Sequence, residues 1–171
     1  MKGPFNKGGD KLDYKEYSCA VKRNSQRIYL LALSYVKNTY DAEDILQDVF
    51  MKLWKAKKDF QSEEHIDKWL TINCISRCKD YFRFPFFNKT TDFNDITEHY
   101  FENEIWKTDI INSIMSLSQK ERVAVHLFYY EDMTINEIAN VLHTNPSTVK
   151  TRLSRARKHL KEKLGDDWKN D

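Results

Sequence analysis

Cations crowd one short stretch of this chain. Between Asn145 and Leu164 stand Lys150, Arg152, Arg155, Arg157, Lys158, Lys161 and Lys163 against a single carboxylate, Glu162. The whole chain of 171 residues carries a net charge of only +2, so the positive charge is local. Val149, Leu153, Ala156 and Leu160 recur at helical spacing and predict a buried stripe. That periodicity turns Ser147, Thr148, Lys150, Thr151, Ser154 and Arg155 outward near the helix start. Short hydroxyls beside long cations suit a nucleic-acid groove: Arg and Lys donate to guanine, while Ser and Thr bond a base or a phosphate. The ordinary alternative for such a run is a solvated basic face.

The preceding residues favour the groove. Thr134 and Glu137 have capping-box spacing and open a short helix that runs through Leu142. His143 and Thr144 supply a tight turn, and Asn145 with Pro146 begins the basic helix as N-cap and first helical residue. Helix, short turn and second helix make a helix-turn-helix, in which the second helix lies in the DNA major groove.

Other chemistries find little footing. No Gly-rich phosphate loop, metal-ligand cluster or activated nucleophile is legible, which excludes a recognisable enzyme, metal or cofactor site. Cys74 and Cys78 are four apart, and with His65 they make a conceivable metal set, but core packing is the plainer reading. Cys19 leaves the cysteine count odd, which fits reduced thiols. The longest apolar run, Ile28 to Val36, is too short to span a bilayer, and the first residues lack a signal-peptide pattern. A cytoplasmic protein without membrane insertion is expected.

Few Gly and Pro, with an apolar fraction of 40%, point to helices around a core rather than to strands and turns. Helical periodicity covers Tyr14 to Val36 and is clearest from Asp41 to Lys58, where Ala42, Ile45, Leu46, Val49, Phe50, Leu53 and Trp54 form the stripe. A loop is expected from Phe60 to His65, then a helix from Ile66 to Phe84 that stops before Pro85. Beyond Pro85 the periodicity fails, and Asp92, Asp95, Glu98, Glu102 and Glu104 mark an acidic tether. Helical signs return at Lys107; one short helix holds Ile110 to Leu117, and Ser118 with Glu121 opens another that reaches Tyr130. The expected fold is all-α. Two small helical domains, 14–85 and 107–165, flank an acidic flexible linker, 86–106, with tails at 1–13 and 166–171, and the C-terminal domain carries the helix-turn-helix.

Two segments resemble the sigma-70 family of bacterial RNA polymerase sigma factors, in the extracytoplasmic-function (ECF) group. One runs from Tyr40-Asp-Ala-Glu-Asp to Leu53-Trp54; the other spans Ile110 to Leu164, including Thr148-Val-Lys-Thr-Arg-Leu-Ser-Arg-Ala-Arg157. The resemblance implies a factor that binds core RNA polymerase, directs it to promoter DNA with −35 and −10 elements, and assists opening. Polymerase contacts, on the β′ clamp helices, would fall to Asp41, Asp44, Gln47, Asp48 and Met51, and the β flap is a second implied contact.

The −10 element would meet Phe60, His65, Trp69, Ser76, Arg77, Lys79, Asp80 and Arg83, with the loop before the helix helping to hold a flipped base. Tyr81 and Phe82 suit stacking on unpaired bases. The −35 element would meet Lys150, Thr151, Ser154 and Arg155, joined by Ser147, Thr148, Arg152 and Arg157. The tether matches the family linker that threads toward the polymerase active centre. Two departures stand out: Ser76 where the family usually has Asn, and Ser118 where it usually has Pro. An anti-sigma factor is a further implied partner. The rival reading is a stand-alone helix-turn-helix regulator, which would leave the Asp41–Asp44 helix and its basic, aromatic successor without a role.

Overall fold

In the computed structural model the described residues, 12–83 and 108–165, form seven helices and no strand. They belong to two compact units that divide between residues 92 and 93. The acidic segment 86–106 and the tail 166–171 lie outside the described residues.

The first unit packs α1 (Tyr14–Val36), α2 (Thr39–Lys55) and α3 (Glu63–Arg83) against one another. Its core comprises Ile28, Leu31, Leu33, Ile45, Leu53, Leu70 and Ile75, all but excluded from solvent. Cys74 and Cys78 join that core, and no metal-binding cluster exists among the described residues. Helix α1 starts at Tyr14, as expected. Leu12 is buried and Asp13 caps α1, its carboxylate accepting from the Glu16 N–H at 2.7 Å while Glu16 accepts from the Asp13 N–H.

Helix α2 starts before Asp41, because the Asn38 side chain accepts from the Asp41 N–H at 3.0 Å. It ends at Lys55 rather than Lys58, since Ala56 turns to extended backbone. The expected stripe is buried except for Trp54, which is 42% exposed and meets Tyr17 edge-on at 4.9 Å. Helix α3 likewise begins a turn earlier than Ile66: the Ser62 hydroxyl accepts from the His65 N–H at 3.2 Å, so His65 belongs to the helix. A polar pin joins α1 to α3. The Asp67 carboxylate accepts from Arg23 and from the buried Asn24, each at 2.8 Å, and Arg27 donates to the Asp67 carbonyl at 2.9 Å.

The second unit holds α4 (Thr108–Ser116), α5 (Gln119–Tyr129), α6 (Ile135–Leu142) and α7 (Pro146–Leu164). Helix α7 packs on the other three, through the expected Val149, Leu153, Ala156 and Leu160. The Glu121 carboxylate accepts from the Ser118 N–H and hydroxyl, and Glu137 does the same for Thr134. Sequence reasoning overlooked Arg122. It is 2% exposed and donates to the carbonyls of Leu117 and Met115 just beyond and within the end of α4. Burial pushes its pKa down to about 10, which leaves it charged at neutral pH.

The turn between α6 and α7 is made by His143 in the left-handed region, φ 52°, with the Thr144 N–H donating to Ala139 at 2.9 Å. Asn145 holds the N-cap position of α7, but its side chain makes no cap bond. Its carbonyl instead accepts from the Thr148 N–H at 3.0 Å.

Candidate functional site

Three helix faces carry the candidate residues, two on the first unit and one on the second. On α2 a line of Tyr40, Asp44, Gln47 and Met51 points to solvent, opposite the buried stripe. Tyr40 is 74% exposed and Met51 51%, which leaves two large side chains on this face open to a partner. Asp41 and Asp48 lie to one side of that line and are tied to α3 instead. The Tyr81 hydroxyl donates to Asp41 at 2.7 Å, and the Arg77 Nε donates to Asp48 at 2.7 Å. Burial, then the Asp41 bond and its charge, push the Tyr81 pKa well up, so the phenol stays protonated and keeps donating. The five expected polymerase contacts therefore divide into an outward set and a pair that also braces α2 on α3. Neither Tyr40 nor Trp54 was expected as a surface contact; the signal was their aromatic character at positions off, or at the edge of, the core stripe.

The outward face of α3 presents His65, Trp69, Ser76, Lys79, Asp80 and Arg83. Phe60 is 3% exposed and forms a floor, with the rings of His65 and Trp69 edge-on at 5.4 and 5.8 Å. It supports the loop and does not present a surface, whereas half-buried His65 and Trp69 keep an open side. A shallow groove between α2 and α3 is lined by Asp48, Lys52, Asn73, Ser76, Arg77 and Asp80. Within it Arg77 pairs with Asp48, and beside it Arg83 pairs with Asp80 at 3.4 Å. Burial first and Arg83 second hold the Lys79 pKa below its ordinary value. Ile72, 51% exposed among these residues, was also missed, because an apolar residue in a helix reads as core by default.

On α7, Ser147, Thr151, Ser154 and Lys158 form the line opposite the buried stripe. Lys150 and Arg157 are exposed on one flank; Arg155 and the half-buried Thr148 and Arg152 lie on the other. The Thr151 hydroxyl donates back to the Ser147 carbonyl at 2.9 Å, leaving its lone pairs outward. The basic helix thus offers hydroxyls along its centre and cations at both edges.

The first unit matches the family described as Sigma-70 region 2 over residues 20–84, and the second matches Sigma-70, region 4 over residues 107–160. RNA polymerase sigma factor SigV of Bacillus subtilis is 30% identical over 148 residues, covering 84% of this chain and 88% of that protein. ECF RNA polymerase sigma factor SigW of the same organism is 27% identical over 171 residues, covering 90% of this chain and 91% of that protein. Among solved structures, the sigma factor RpoE in complex with the anti-sigma factor NepR from Bartonella quintana has the same fold. Its TM-score is 0.67 at 22% identity, over 90% of this chain and 99% of that one.

A helix-turn-helix unit and a three-helix unit with these matches define a bacterial transcription initiation factor that directs RNA polymerase, a class that is not enzymatic. The chain belongs to the sigma-70 family, in its ECF group. Core RNA polymerase and promoter DNA are its partners. Among the described residues no helix is long and apolar enough to cross a membrane.

Proposed function

We propose a division of labour within this initiation factor. The outward line of α2, with Asp44, Gln47 and Met51 at its centre, docks on the β′ clamp helices of core polymerase. The outward face of α3 engages the −10 element as it opens, Trp69 and His65 flanking the floor made by Phe60. Helix α7 reads the −35 element through Lys150, Thr151, Ser154 and Arg155. The β flap meets the second unit, and the factor works in the cytoplasm, where the polymerase is.

One observation carries this reading. On α7 a fully buried stripe backs a solvent-facing line of hydroxyls edged by cations, in a unit whose turn holds that helix against α6. The resemblance brings an anti-sigma partner, and the similar structure of the sigma factor RpoE was solved in complex with the anti-sigma factor NepR. Run-off transcription with purified chain, core polymerase and a random promoter library tests the reading. Start points fixed relative to two enriched upstream elements are expected. Transcripts without an enriched upstream element would remove the assignment of α7.

A further inference from the structure

Arg157 stands apart from the other arginines with described bonds. Arg23, Arg27, Arg77 and Arg83 each face a carboxylate, and Arg122 is buried against carbonyls. Arg157 is exposed on α7, and its Nε donates to the hydroxyl of Tyr129, on α5, at 2.8 Å. Its guanidinium lies 5.8 Å from the Tyr129 ring centre and 6.0 Å from that of Phe128, two rings set edge-to-face at 5.0 Å. Among the described residues nothing engages the two terminal nitrogens.

Fixing Nε fixes the plane of the guanidinium and the direction of the remaining fork, whose two parallel N–H groups match the oxygens of a phosphate. Tyr129 is 46% exposed, so its hydroxyl sits at the surface rather than in the core. Along α7, Arg157 lies well past the N-terminal residues that face base edges in a helix-turn-helix, and on the flank that Lys150 begins two turns earlier. Past that N-terminal stretch, a cation beside a groove-bound helix meets the DNA backbone rather than base edges.

We propose that Tyr129 is a positioning residue: it holds Arg157, on a shelf of two aromatic rings, for a backbone phosphate beside the bases that α7 reads. This rests on the assignment of α7 to the −35 element. Preorganisation is the gain, because a free arginine must give up rotamer freedom on binding and a shelved one has already done so.

The test uses holoenzyme made from the full chain and core polymerase, on a promoter fragment enriched by the wild type and on the same fragment with its upstream element scrambled. Arg157→Ala should weaken both DNAs by a similar factor, about tenfold, and lower the slope of log affinity against log salt by about one. Tyr129→Phe keeps the ring and every charge; it should weaken both about three- to fivefold with the slope unchanged. In an Arg157→Ala or Arg157→Lys background, Tyr129→Phe should add nothing, as coupling through Nε requires.

Wild-type affinity in Tyr129→Phe overturns the proposal, as does a loss that persists without Arg157. A loss of affinity for core polymerase instead of DNA would give the shelf to a protein contact and equally overturn it. Should the wild type discriminate the two fragments while Tyr129→Phe is silent, only this inference falls. Should the wild type fail to discriminate them, the reading of α7 falls with it.

Discussion

Lys150 and Arg155, the two cations proposed to read bases from α7, start from different surroundings. Lys150 is exposed on the flank shared with Arg157, whereas Arg155 is near enough to Glu121 to favour its carboxylate. Replacing either by Ala should weaken −35 binding by about 1–3 kcal/mol, measured as a selective loss on promoter over scrambled duplex. Glu121 itself responds to pH. Burial opposes its ionisation, but bonds from the Ser118 hydroxyl and N–H, with His159 and Arg155 nearby, outweigh burial and hold its pKa below the ordinary 4.5. A carboxyl depressed in the folded state adds stability that is present above its unfolded pKa and lost as pH falls through the folded one. Thermal melts of the chain and of Glu121→Gln should therefore differ most near neutrality and converge as pH falls through the depressed pKa. A gap that stays constant down to pH 3 would show the cap is not ionic.

At the scale of elements, α2 serves two neighbours with one acidic motif. Asp41 and Asp48 reach α3, while Asp44 stays on the outward line with Gln47 and Met51. Asp48→Arg would set two guanidinium groups face to face at Arg77 and disturb the bracing as well as any docking surface. Asp44→Arg is the cleaner reversal. It should abolish co-purification with core polymerase while shifting the melting transition by less than about 0.5 kcal/mol, as surface changes do. Full retention of polymerase by this variant would move the docking site off α2. The helix ends tell a related story. Capping residues within three positions of their targets (Ser118 with Glu121, Thr134 with Glu137) were readable from spacing alone. The start of α3 was also written locally, in Ser62 ahead of Glu63 and Glu64, but was masked by the neighbouring aromatic Phe60 and by His65.

For the whole molecule, each unit closes its own core: Leu31, Leu53 and Leu70 meet in the first, Leu127, Leu153 and Leu160 belong to the second. Two cores on one chain make their covalent connection a matter of effective concentration. Cutting the chain between residues 92 and 93 should leave both fragments helical by circular dichroism. Their mixture at micromolar concentration should lose most promoter-directed initiation. Undiminished transcription from the mixture would show that the polymerase alone aligns the two.

Sequence by itself determined the helical class, the two units, the helix-turn-helix and the buried stripe of α7, because period and capping act over three or four residues and need no knowledge of the rest of the chain. It also exposed the family through motifs that lie within single helices. Tertiary structure alone decided which charges are spoken for. Asp48 finds Arg77 at a separation of 29 residues, Asp41 finds Tyr81 at 40, and Tyr129 finds Arg157 at 28. The position of a charge on its own helix does not say which neighbouring helix will face it. Only the packing of whole helices sets that, and with it which carboxylates and guanidinium groups remain available to a partner.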